Sequence, residues 1–181
     1  NLSNEKSRGA AFATMLAFLR SERRAELIDP VSSTSAWDDI KAAANRHNDP
    51  GKFTAFLGYE YTSSGDAFEN LHRNVIFKGD TAPDLPFSRL DSRNPEELWR
   101  WMDEQRLAGY ESLAMPHNSN GSNGWMFSLT DFDGKPLDGA YADLRMRNER
   151  LVENSQIKGT SDTHPALSPN DEWADFEIMK V

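Results

Sequence analysis

Apolar positions recur at helical spacing in three stretches of the chain. Phe12, Met15, Leu16 and Leu19 share one face of a predicted helix from about Glu5 to Leu27, which Asp29-Pro30 stops. Ser35 caps a second predicted helix, with Asp38 in the capping-box position and Trp37, Ile40 and Ala44 on one side. The run "HNDPG" at 47–51 ends it. The third signal is "NPEELWRWM": Asn94 caps, Pro95 takes the first turn, Glu97 is the box partner, and Gly109 closes the helix. Its period assigns Trp99 and Trp101 to the core.

Between these lie strands. "FTAFLGYEY" at 53–61 is apolar on both faces, as a strand covered on both sides should be. "LHRNVIF" at 71–77, "SLAMPH" at 112–117 and "RLVENSQI" at 150–157 follow, the last after a weaker helical stretch near 138–149. Helices alternating with short buried strands predict a single α/β domain over residues 1–181. The segments 79–93 and 118–137 are rich in Pro, Asp, Gly and Ser, a composition common in active-site loops.

Charge narrows the classes of partner. Twenty-nine acidic and 20 basic residues give a net charge of -9, a field that repels phosphate backbones and anionic lipid. Nucleic acid is therefore not an expected partner, and no apolar run approaches the roughly 20 residues that span a bilayer. With no cysteine, thiolate nucleophiles and zinc-thiolate sites are excluded, while the redox compartment, and with it periplasm or cytoplasm, stays open.

Chemistry collects at histidines and carboxylates near strand ends. His47 lies in a helix-ending loop and reads as solvated, whereas His72, His117 and His164 each sit among Asn, Asp, Ser or Thr. The period of two puts Thr54, Phe56, Gly58 and Glu60 on one face, and a carboxylate closing a buried strand calls for a cation. Leu151, Glu153 and Ser155 share a face in the same way, which makes Glu153 a further candidate. Histidine nitrogen and carboxylate oxygen suit hard or borderline divalent metals, and parallel strands would gather them at one rim. Arg73 and Lys158 could supply positive charge to a small anionic substrate, with Asn118 and Asn120 orienting substrate or ligands. The "SNGSNGWMF" loop is expected to fold over that rim, with Asn118 facing the site and Trp125 packed as an anchor.

Five segments together closely resemble the bacterial family known as domain of unknown function 3604: "GKFTAFLGYEYTS", "NLHRNVIFKGD", "PEELWRWM", "MPHNSNGSNGWMF" and "QIKGTSDTHPALSPNDEWADFE". The likeness runs from about residue 35 onward. That family is similar to the PHP (polymerase and histidinol phosphatase) superfamily, which implies a distorted (β/α)7 barrel that hydrolyses phosphoesters with Zn, Mn or Fe ions. The resemblance assigns metal ligation to Glu60 of "GYE" and to His72, with looser matches at His117 and Glu153. Asp162 and His164 look like the closing Asp-x-His pair. Only eight residues separate Glu153 from Asp162, too few for a βαβ crossover, so the pair is expected in a loop over the site.

The opening His-x-His strand and an Asp-His pair of the superfamily have no counterpart here. The chain is therefore expected to be an internal piece of a longer barrel, binding metal weakly and inactive by itself. The expected function is a metal-dependent hydrolase of phosphoester or related anionic ester bonds. The alternative is a non-catalytic module in which Trp99, Trp101, Trp125 and the Asn-rich loops hold a glycan or other ligand. Metal content separates the two. Nothing in the sequence sets the oligomeric state.

Overall fold

The computed structural model describes residues 5–19, 29–161, 164–166, 169–172 and 174–175. Its elements in chain order are α1 (Glu5–Leu19), α2 (Pro30–His47), β1 (Leu57–Tyr61), β2 (Arg73–Phe77), α3 (Pro95–Leu107), β3 (Ser112–Pro116) and α4 (Gly139–Asn148), then the two-residue strands β4 (Ser155–Gln156) and β5 (Gly159–Thr160). Single 3₁₀ turns at Ser119–Gly121 and Trp125–Phe127 lie between β3 and α4.

The barrel expectation is overturned. β1, β2 and β3 form a three-stranded sheet in that order, and both pairings are antiparallel. A parallel neighbour needs a crossover of about a dozen residues or more, usually helical. Residues 62–72 form no helix, so the chain can only turn back beside β1. α3 does lie between β2 and β3, yet β3 also returns antiparallel. The fourth predicted strand shrinks to a hairpin of β4 and β5 turning at Ile157-Lys158.

Helices cover one face of this sheet. Leu57, Tyr61, Val75, Phe77 and Ala114 point toward Trp37 of α2 and toward Leu98, Trp99 and Met102 of α3, forming the buried core. Trp101 packs partly buried against it. Trp37 donates its indole N–H to the Pro83 carbonyl (2.8 Å) and stands edge-on to Tyr59, which pins the 78–94 loop across the core. The other face carries Gly58, Glu60, Asn74, Ile76, Leu113 and Met115. Phe53 and Phe56, just before β1 in the stretch expected to be covered on both sides, are 61% and 72% exposed.

The caps explain the helix boundaries. Asn94 accepts the Glu96 amide and Pro95 opens α3, while Gly109 at φ +98° turns the chain out, as the sequence predicts. Glu97, the expected box partner, bonds Arg100 instead. α2 begins earlier than Ser35, because Asp29 accepts the Val31 amide and Pro30 occupies the first turn. Ile40, expected on its packed side, is 48% exposed. In α1 the predicted stripe is largely open, with Phe12 and Met15 exposed; its expected extension through residues 20–27 lies outside the described residues.

Candidate metal centre

Strand register brings three predicted ligands to one place. Arg73 pairs with Pro116 and Tyr61 with Arg73, so His72 and His117 are the next residues beyond the β2–β3 ladder. The His117 amide donates to the His72 carbonyl (3.2 Å), which extends that ladder by one step. Side chains alternate along strands, and Glu60, Asn74 and Met115 occupy the face away from the core. His72 and His117, two residues further along their strands, face the same way. All three residues stand at the same end of the sheet.

One potential ligand atom from each residue lies within 4.8 Å of the others. The Glu60 Oε1 to His72 Nδ1 distance is 3.3 Å, and Glu60 Oε2 to His117 Nε2 is 3.6 Å. Donors about 2.1 Å from a tetrahedral ion lie about 3.4 Å apart, so each histidine stands at that spacing from one oxygen of Glu60, His72 from Oε1 and His117 from Oε2. The ligand nitrogens of the two rings are at most 4.8 Å apart. The ring centroids are 5.6 Å apart, in an edge-on arrangement.

Electrostatics favour the same chemistry. His117 is 6% exposed, and its Nε2 is buried with no hydrogen-bond partner. A buried polar atom without a partner is costly, and an ion would supply one. Burial holds the His72 imidazole below its ordinary range; Glu60 opposes this, while His117, Lys158 and Arg73 reinforce it. The neutral ring is the form that ligates a metal. Glu60 stays 43% exposed, which leaves solvent access from one side.

A supporting layer holds these groups in place. The Thr62 hydroxyl donates to Glu60 Oε1 (2.7 Å). Glu153 reaches the site without joining the ligand set. Its amide donates to the Pro116 carbonyl (2.9 Å), and its Oε2 accepts from the Asn118 amide (2.9 Å) and from Gln156 Nε2. Gln156 Nε2 also lies 3.4 Å from His117 Nδ1. Sequence reasoning missed Thr62 and Gln156. Their only signal was position, two residues after Glu60 and three after Glu153.

The remaining candidates fall elsewhere. Arg73 is 2% exposed on the helix-covered face, where its Nε donates to Glu149 Oε1 (2.6 Å), so it is no substrate cation. His164 is exposed, accepts the Ala166 amide at Nδ1 (3.1 Å) and stands outside the ligand group, while Asp162 lies outside the described residues. Asn118 is buried in the left-handed region at φ 54°, with its Oδ1 unpartnered. The Asn120 side-chain amide donates to the Lys158 carbonyl (3.0 Å), tying the β4–β5 turn to the 119–121 turn. Trp125 is not the anchor of its loop. It is 51% exposed, whereas Met126 is 1% exposed with its carbonyl held by Arg145 (2.9 Å).

The family described as Protein of unknown function (DUF3604) matches residues 3–181. The chain belongs to that family. No curated protein matches, and neither does any solved structure. No helix among the described residues is long and apolar enough to cross a membrane.

Proposed function

We propose that this domain is the metal-holding part of a hydrolase acting on phosphoester or related anionic ester bonds. The convergence of Glu60, His72 and His117, with His117 Nε2 buried and lacking a hydrogen-bond partner, carries this reading. The likeness of "GYE" and the two histidine segments to the PHP superfamily supports it, although the barrel of that superfamily is not the architecture here.

Glu60, His72 and His117 would hold a divalent ion such as Zn, Mn or Fe. Such an ion supplies Lewis acidity and lowers the pKa of water toward neutrality. Three protein ligands leave a coordination position open for that water. Thr62 orients the Glu60 carboxylate, and Glu153 with Gln156 fixes the His117–Asn118 corner. Lys158, whose charge acts on His72, is the cation placed to attract an anionic substrate. Asn120 holds the backbone of that lysine, so its role is to position the turn.

The test is to titrate the metal-free protein with Zn and with Mn, reading bound metal by elemental analysis and calorimetry, beside an aryl phosphate assay. One ion per chain is expected, with affinity falling at least ~100-fold in Glu60→Gln and His117→Ala, because each removes a ligand. Hydrolysis should follow metal content in the enzyme that contains this domain, not in the domain alone. Binding that ignores both substitutions would overturn the metal centre, and a metal-loaded enzyme without turnover of any anionic ester would overturn the hydrolase.

A further inference from the structure

The sheet end opposite the metal centre carries a second concavity, of about 400 Å³. It wraps the end of the strands, taking Ile76 and Leu113 from the face away from the core and Phe77 and Ser112 from the helix-covered face. Phe56 extends the apolar floor and is 72% exposed. Small-molecule pockets run from about 300 to 1,000 Å³, with apolar walls and a few convergent polar groups. This one has that character.

Its rim is basic, although the chain carries a net charge of -9. Lys78, Arg106, Arg147 and Arg150 line it. Lys78 pairs with Glu111 (2.6 Å), and Arg106 and Arg147 share the single carboxylate of Asp103. Arg150 donates its Nε to the Met146 carbonyl (3.1 Å) and makes no ion pair among the described residues. Four cations against three neighbouring carboxylates, Glu111, Asp103 and the Asp143 that acts on Arg147, leave an excess of one positive charge around an apolar floor. Ser112 also lines the cavity, and its hydroxyl is buried with no hydrogen-bond partner.

We infer that this cavity binds a small amphiphilic anion, its hydrocarbon part on Phe56, Ile76 and Leu113 and its head group on the Arg147–Arg150 rim. Charge complementarity decides the class. A neutral apolar ligand would leave the excess charge unmatched, and a nucleic-acid backbone would meet the acidic remainder of the surface. Carboxylate and phosphate heads share this chemistry.

The experiment titrates the intact chain with decanoate, decyl phosphate and decanol, each below its aggregation threshold, by calorimetry and by methyl shifts of Ile76 and Leu113. Saturable one-site binding of at least one anion is expected, at least ~10-fold tighter than decanol, a difference of about 1.4 kcal/mol. Arg150→Glu should weaken that binding at least tenfold, and Leu113→Asp should abolish it. Both positions lie away from the core, and circular dichroism checks that each variant folds. The stronger of the two anions identifies the head group. Equal binding of decanol, insensitivity to Arg150→Glu, or no saturation by either anion would overturn the inference. Glu60→Gln should leave this binding unchanged, so its result is independent of the metal centre.

Discussion

Glu149 accepts three side-chain hydrogen bonds at the buried junction of α3, α4 and β2. Its Oε1 accepts Arg73 Nε (2.6 Å) and Trp99 Nε1 (2.8 Å), and its Oε2 accepts Arg145 Nε (3.1 Å). The side chains of Glu149 and Arg73 are only 1% and 2% exposed, so each relies on the other for solvation. Removing one partner of a buried pair typically costs about 3–5 kcal/mol, because the survivor stays charged and dry. Glu149→Ala should therefore lower stability by about that amount in denaturant unfolding. A loss under about 1 kcal/mol would mean that water or a neighbour takes over the Arg73 charge. This network also shows what is legible at single positions. His72 and Arg73 are adjacent in a strand, so they must face opposite sides. The alternation that puts Gly58 and Glu60 on one face equally keeps Arg73 out of any site that holds His72, and residue order alone carries that exclusion. Glu149 offers no such signal, since its role depends on packing between α4 and β2.

Among the elements, β1 is the one whose position matters most to the metal centre, and Gly58 sets how closely it approaches β2. A Cβ at Gly58 would stand 2.7 Å from the Val75 carbonyl oxygen and 3.5 Å from Ile76 Cα, both backbone atoms. Neither can move without shifting a strand. Gly58→Ala should cost about 1–3 kcal/mol of stability and also displace Glu60, two residues on, from its histidine partners. The expected signature is weaker metal binding together with lower stability; a variant with wild-type metal affinity would show that β1 absorbs the strain locally. The elements were unevenly legible. α3 was readable because cap, first-turn proline and closing glycine agree at Asn94, Pro95 and Gly109. Asp29-Pro30 is ambiguous by nature, since the pair that stops one helix is also a good cap and first residue for the next. Strand direction was not written locally at all. Alternating helices and strands suggest a parallel sheet, but the helix-free 62–72 connection forces an antiparallel one. The candidate site does not depend on strand direction, because register and face parity bring Glu60, His72 and His117 together.

At the scale of the whole molecule, stability should be confined to a pH window whose two limits have different origins. On the alkaline side the causes are Tyr59 and Tyr61, which pack in the sheet–helix core with Trp37, Phe77 and Phe87. Burial pushes Tyr61 up to about 12 and raises Tyr59 further. A raised value means that the folded state holds its proton where the unfolded chain, with an ordinary value of 10.0, gives it up. The stabilisation is thus complete below pH 10.0 and is lost as pH rises toward about 12. On the acid side the sign reverses. His72 is held below its ordinary 6.5, so the unfolded chain takes up a proton before the folded one does, and stability falls as pH drops below 6.5. Metal should act on one limit only. An ion held at the candidate site competes with the proton for the His72 ring, so loading should move the acid limit downward and leave the alkaline limit in place. Urea unfolding across the pH range, with chelator and with Zn, reads both limits. Tyr61→Phe should flatten the alkaline fall while lowering stability at neutral pH by about 1 kcal/mol, through loss of the hydroxyl bond to the Ser92 carbonyl (2.7 Å). An acid limit that ignores Zn, or an alkaline limit that shifts with it, would separate the histidines from any metal.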